Sequence, residues 1–443
     1  MRGIAPIQSP RHVNALARYR SFPAEARAFL SGAALLEIGH AFQYALQNLY
    51  VLAVGHGVAA AGSVNMASAV AVVLTTLPSA WLYERLGPRR ALGLACALNA
   101  VGIVGMATST GMLPLLLWSA LTGGAYTLHR VVAAPLLVSV APASQRTHLF
   151  QFEFAVHTLV QTVGLAGAGL LAGGLEGGAL AETPALRVAL IAGALLSLSG
   201  LIPYRRLPAR ASAQDGWRSA WEVMQILRPS RWHMWMRLAL PHALVGLGAG
   251  LSIPFINLYF TQRFELDKAA MGLVMAAASA TMTIGALVTP RVVSRLGLVR
   301  ATILTEALSI PFFLFLALTV SFPVALGAYV LRSALMNLSQ PLWRNLMMEI
   351  TPLEWRPAVN GATMLCWNLG WACSTQVGGT LIARSAGWLG QGFDGYALPM
   401  LLTIATYLLA IALEARFFWN VRHVGLAPRP AAPAAAPAGS DAA

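Results

Sequence analysis

Three otherwise apolar stretches carry ionisable and amide side chains at helical spacing. Between residues 28 and 55, Glu37, His40, Tyr44 and Gln47 recur at i, i+3, i+7 and i+10, which puts them on one face of a helix. Glu153, His157 and Gln161 follow at i, i+4 and i+8, and Arg332, Met336, Gln340 and Arg344 keep the same spacing. Arg130 stands in a further apolar run. A charge near the centre of a bilayer costs about 2.5–3.5 kcal/mol on insertion scales, so such groups face a cavity or one another. Carboxylates and imidazoles so placed can exchange protons, and arginines can recognise anions.

Each of these groups also has a plainer reading. Glu37 can pair with Arg130 as structural glue. Glu153, near the end of its apolar run, can snorkel to the interface. His40, His129, His157 and His242 can be packing residues. Trp367 and Trp371, spaced i, i+4 beside Asn360 and Asn368, form either an aromatic wall for a flat or cationic substrate or an ordinary packing pair. Glu306 is given no function. Cys366 and Cys373 are separated by about 10 Å of helical rise, beyond disulfide reach, and no metal-ligand spacing is present.

The elements that must position these residues are membrane spans. The chain has 443 residues, 57% hydrophobic and 10% charged, with a mean hydropathy of +0.64; soluble domains carry about 25% charged residues. Runs of about 20 apolar residues cross a ~30 Å hydrocarbon core. Twelve can be marked out, near 28–55, 62–83, 91–107, 114–140, 148–173, after Thr183-Pro184, and at 234–261, 269–293, 301–320, 323–350, 358–385 and 397–420. Asp267 is placed to cap the eighth, and Pro254, Pro311 and Pro341 should kink the spans that hold them. The net charge of +14 does not point to nucleic acid. Its arginines collect in alternate loops, and the other loops hold chiefly Arg263 and Lys268. This asymmetry predicts an inner-membrane protein with both termini in the cytoplasm.

The chain is built twice. Arg85, Leu86 and Gly87 return as Arg295, Leu296 and Gly297, and Pro142 and Arg146 as Pro352 and Arg356, each 210 residues on (295 − 85, 352 − 142). Asn48-Leu49-Tyr50 returns as Asn257-Leu258-Tyr259 after 257 − 48 = 209 residues. The expected organisation is a cytoplasmic segment at 1–27, a six-helix half at 28–204, a linker at 205–233, a second half at 234–420 and a disordered Pro/Ala-rich tail at 421–443. Within the linker, Asp215 can cap an interfacial helix carrying Trp217, Trp221 and Met224 on one side.

Six spans plus six, a central polar linker, and a basic RxG turn after spans two and eight resemble the major facilitator superfamily, over residues 28–420. That family's loop signature, Gly-x-x-x-Asp-Arg-x-Gly-Arg-Arg, is met here by Ala80-x-x-x-Glu84-Arg85-x-Gly87-Pro88-Arg89, with Ala, Glu and Pro as departures. Ser294 stands at the acid's counterpart in the second half. The resemblance implies an all-α fold of two pseudo-symmetric six-helix halves. It also implies a conformational latch of Glu84, Arg85, Gly87, Arg89, Arg295 and Gly297, in which Glu84 meets the start of span eleven near 357–361. The acid would sit against the positive end of that helix. An arginine followed by a glycine marks span four in many proton-coupled members; here Ala133 follows Arg130. Gly164, Gly167, Gly169, Gly173 and Gly174 on span five lack the proline of the exporter signature.

Together these features predict a secondary active transporter rather than an enzyme. It would move a small organic solute, anionic or zwitterionic because of Arg130, Arg332 and Arg344, by alternating access and proton coupling through Glu37. The expected lining draws on both halves: Glu37, His40, Gln47, Arg130, Glu153 and His157 from the first, and Asn257, Arg332, Gln340, Arg344, Trp367 and Trp371 from the second. No cofactor is expected beyond a proton gradient, and no partner beyond substrate and membrane lipid; the chain is expected to be a monomer. The runner-up is a proton-antiport exporter of lipophilic or cationic compounds. A lipid enzyme or a non-transporting receptor is the distant alternative.

Overall fold

The computed structural model describes residues 19–178, 180–209, 232–351, 356–386, 388 and 394–419. The linker helix read at Asp215, most of the linker and the C-terminal tail lie outside the described residues. Among those described there is no strand.

The first span is Ala24–Ala53. Spans two and three form one run, Val58–Thr108, interrupted only at Gly87 (φ 71°, ψ 170°). The polar stretch 80–92 is therefore almost wholly helical, since a single left-handed glycine suffices to redirect the chain. Spans eight and nine, Lys268–Leu296 and Leu298–Leu318, meet in the same way at Gly297 (φ 74°, ψ 165°). Spans four, five and six are Met112–Val140, Ala143–Gly178 and Glu182–Ser199. Thr183 does not cap the sixth; Ala181 holds the N-cap position, and the Thr183 hydroxyl donates to the Ala53 carbonyl at 3.0 Å. Span seven breaks into Trp232–Ser252, a 3-10 turn Ile253–Phe255, and Ile256–Arg263. Pro254 causes the break, because it has no N–H to continue the helix. Asp267 caps span eight, accepting from the Ala270 N–H at 2.6 Å. Spans ten, eleven and twelve are Phe322–Ile350, Arg356–Arg384 and Ala397–Phe418.

The repeat has structural content. Tyr50 Oη donates to the Ala107 carbonyl at 2.8 Å, and Tyr259 Oη to the Leu316 carbonyl at 2.7 Å. Each bond spans 57 residues, so the repeated tyrosine satisfies an end carbonyl of span three in one half and of span nine in the other.

The face bearing the two glycine turns, with Arg85, Arg89, Arg90, Arg205, Arg206, Arg295 and Arg300, is called the basic face below. The hydrophobic cores show how the halves meet. Toward the basic face each half has its own core, one around Phe29, Leu92 and Leu136, the other around Leu298, Leu342 and Trp343. Toward the opposite face a single core runs through both halves, from Leu46 and Tyr50 to Tyr259 and Met271. The halves are joined at one end and parted at the other.

Candidate functional site

A cavity of ≈ 200 Å³ lies between the parted ends, lined by Glu37, His129, Arg130, Glu153, His157 and Arg344 among apolar residues such as Leu30, Ala33 and Leu137. These come from the early part of spans one and five and the late part of spans four and ten, so the cavity opens toward the basic face. Glu37 is only 5% exposed. Its Oε1 lies 3.3 Å from His157 Nδ1, and its Oε2 accepts from Tyr126 Oη at 3.4 Å. The partner of Glu37 is thus His157 rather than Arg130, which lies beside Tyr126. Arg344, from the second half, has no acid within ion-pair distance among the described residues, and Arg130 is the like charge nearby. The cavity therefore combines a buried carboxylate–histidine pair, which can exchange a proton, with two guanidiniums from opposite halves.

The other expected lining residues lie elsewhere. His40 stacks on Tyr126, with ring centroids 4.0 Å apart and planes 8° from parallel. His129, although it borders the cavity, meets Tyr204 Oη at 3.0 Å. Trp367 and Trp371, both half-buried, stack on each other at 5.0 Å and border the small core that holds Val245, Met336 and Tyr407. Gln340 is half-buried, one turn before Arg344. Arg332 lies deeper, 6% exposed, and donates to Tyr407 Oη at 3.3 Å.

Gln47 and Asn257 belong to a buried amide chain. Gln43 Nε2 donates to Thr122 Oγ1 at 2.7 Å and Gln47 Oε1 at 2.9 Å; Gln47 Nε2 donates to Asn65 Oδ1 at 3.1 Å. Asn65 Nδ2 reaches Asn48 Oδ1 at 2.7 Å, and Asn48 Nδ2 reaches Asn257 Oδ1 at 3.1 Å. Asn257 Nδ2 returns to the Ala45 carbonyl at 2.9 Å. The two repeated asparagines thus meet each other across the interface, as symmetry-related residues near a two-fold axis do.

The same face is sealed twice more. Spans two and eleven touch at Gly62 and Gly379, and spans five and eight at Gly169 and Gly272. A Cβ on Gly62 would stand 3.2 Å from Gly379 Cα, and one on Gly169 2.7 Å from Gly272 Cα. These four are also related by the repeat (272 − 62 = 379 − 169 = 210). Gly164 packs in the same manner on Ala41 and Ile38, so the glycines of span five that border other spans serve close helix packing. Over the five–eight contact, buried Lys268 of the second half binds Glu176 at 2.6 Å and Glu182 at 3.0 Å in the first. None of this lock was apparent in the sequence, where Lys268 was only a loop cation.

On the basic face, the Arg85 guanidinium lies 5.0 Å from the Trp81 ring centroid. Glu84, Arg89 and Arg295 are exposed, and Glu84 has no ion pair among the described residues. Most of the side chains at 357–361, its expected partner, lie outside the described residues. Glu306, given no function above, faces Glu414 in the second half.

Two pseudo-symmetric sets of six helices enclosing a polar cavity define a multi-pass membrane transporter, not an enzyme. The chain belongs to the Major Facilitator Superfamily, whose model matches residues 28–375. No curated protein matches it in sequence. Among solved structures it is similar to the nucleoside transporter NupG, with TM-score 0.71 and 13% identity over 89% of this chain and 98% of that one. It is also similar to a bacterial homologue of the human lysosomal transporter Spinster, inward-facing and occupied, with TM-score 0.70 and 13% identity over 89% and 96%. A D-xylose–proton symporter gives TM-score 0.69 and 16% identity over 88% and 96%. These likenesses carry the fold.

Proposed function

We propose that the protein is a secondary active transporter moving a small organic anion or zwitterion across the inner membrane by alternating access, with proton coupling through Glu37 and His157. The basic face is then cytoplasmic, and the structure corresponds to the inward-open state. The observation that carries this reading is the cavity's composition: Arg130 and Arg344 face it from opposite halves, and Arg344 has no acid within ion-pair distance among the described residues. An anion between them would relieve their repulsion and draw the halves together, coupling binding to closure. The Glu37–His157 pair sits beside Arg130, so proton loading alters the charge that the substrate meets. In this state the Glu84 latch would be open on the cytoplasmic side.

The test is uptake into proteoliposomes under an imposed pH gradient. Glu37→Gln should fold normally and lose gradient-driven uptake, and full gradient-driven activity in that variant would sink the proton role. Flux of lipophilic cations in place of anions would turn the reading toward drug export.

A further inference from the structure

Arg332 is buried in the second half with no carboxylate within ion-pair distance among the described residues. A guanidinium so deeply placed without a counter-charge is costly, and a structural role would supply one. Its surroundings are aromatic instead. The Phe313 ring centroid lies 4.8 Å from the guanidinium carbon, Tyr407 Oη accepts one hydrogen bond at 3.3 Å, and Tyr329 stands within electrostatic reach. Arg332 Nε has no hydrogen-bond partner among the described residues. Glu306 lies near the same Tyr407 but faces Glu414. From the other half, Tyr44 stands within electrostatic reach of Arg332 and Tyr329. Tyr44 is 37% exposed, although its neighbours on either side, Gln43 and Ala45, are buried. A tyrosine within electrostatic reach of the opposite half yet exposed at mid-span borders space between the halves.

Arg332 and Arg344 both lie on span ten, separated by twelve residues and hence by about 18 Å of rise and about 120° of turn. One small molecule does not bridge them, so they are successive stations. We propose that Arg332, with Tyr44 closing over it from the first half, is the seat for the substrate's single anionic group, and that the substrate is an aromatic monocarboxylate. One fixed cation at this depth calls for one negative charge; the exposed Tyr44 ring offers a flat apolar body a stacking partner, while the buried Phe313, Tyr329 and Tyr407 rings behind the guanidinium give a polyhydroxy body few hydrogen bonds. This rests on the organic-anion reading above.

The test is titration of the purified full chain by calorimetry with benzoate, its neutral amide benzamide, and benzylammonium. Benzoate should bind wild type and benzamide should bind about tenfold more weakly or worse. Arg332→Gln should weaken benzoate about tenfold to a hundredfold, and Arg332→Lys, which keeps charge but loses the planar fork, by less. Tyr44→Phe lies on the opposite half and leaves the Arg332 environment folded; it should weaken benzoate several-fold, about the loss of one hydrogen bond. Wild-type affinity in both Arg332→Lys and Tyr44→Phe, equal binding of benzamide, or no binding of benzoate overturns the proposal. If Arg344→Gln alone removes benzoate binding, this seat is wrong while the organic-anion reading stands. If benzylammonium binds and benzoate does not, both fail.

Discussion

Adding one methyl group at Gly169 should open the face that the structure shows sealed. A Cβ there would meet the Lys268 carbonyl oxygen and lie 2.7 Å from Gly272 Cα. Both obstacles are backbone, so no side chain can swing away, and overpacking of this kind costs about 1–3 kcal/mol. Replacing a helical glycine by alanine also stabilises the helix by about 1 kcal/mol, but that gain is shared by the open and sealed states and cancels. The clash exists only when spans five and eight touch. At about 1.4 kcal/mol per tenfold, Gly169→Ala should shift the sealed-to-open ratio by about 5- to 150-fold. Gly62→Ala, with its nearest obstacles at 3.2 Å, should shift it only a few-fold by the same reasoning. Gly174→Ala is the control: it lies on the same span as Gly169, and a Cβ there meets nothing within 4 Å. The assay is pulsed electron–electron distance measurement between spin labels at Thr110→Cys and Val320→Cys, in a background without Cys96, Cys366 and Cys373. These positions are related by the repeat (320 − 110 = 210) and flank the sealed face. Gly169→Ala should populate a longer distance. A distribution the same as that of Gly174→Ala would refute the rigid glycine seal.

Other contacts yield expectations of their own. Tyr50→Phe and Tyr259→Phe should each destabilise the protein by the about 1–3 kcal/mol that follows when a buried carbonyl loses its donor, read as a lower melting temperature in detergent. The Tyr50 change should be the larger, because its hydroxyl also donates to the Ser109 carbonyl at 2.9 Å and accepts from Arg187 Nε at 3.3 Å; the reverse order would count against the assigned roles. Asn48→Ala and Asn257→Ala should each favour the longer spin-label distance. Their double-mutant cycle should give a coupling of about 0.6–1.7 kcal/mol, as for other interhelical bonds in membranes, and full additivity would show that the pair does not act across the interface. Lys268→Gln should do the same in low salt and have little further effect at 1 M salt, where about 3 Å of screening length already weakens the half-exposed glutamate contacts; a salt-independent shift would remove the ionic lock from the account.

Much of the fold was legible because the repeat and the hydropathy act over long stretches. The spans follow from apolar length, and Gly87 and Gly297 could be recognised as equivalent turns before their matching backbone angles were seen. The charged cavity residues Glu37, Arg130, Glu153, His157 and Arg344 were legible for a related reason: a charge inside a span is expensive and must be placed with purpose. Helical spacing defines a face but not which neighbour that face meets. The Glu37–His157 pairing, the packing of Trp367 and Trp371, and the diversion of Gln47 and Asn257 into the amide chain all depend on contacts between distant spans. Asn48 and Asn257, 209 residues apart, were visible as a repeat, yet only the folded halves show that they meet each other. The polar residues at 80–92 point to a turn between two spans because polar residues end a span. They end its immersion in lipid, however, and not its helix, which needs no more than one glycine to break it.

The central claim is that a proton gradient drives an organic anion through this cavity. Its most direct test is gradient-driven flux of radiolabelled benzoate in proteoliposomes holding wild type, Glu37→Gln or Arg344→Gln. The account predicts accumulation by wild type only while the pH gradient is maintained, and loss of that accumulation in both variants. Accumulation that ignores the gradient, or a wild type that moves a lipophilic cation and leaves benzoate behind, would contradict it.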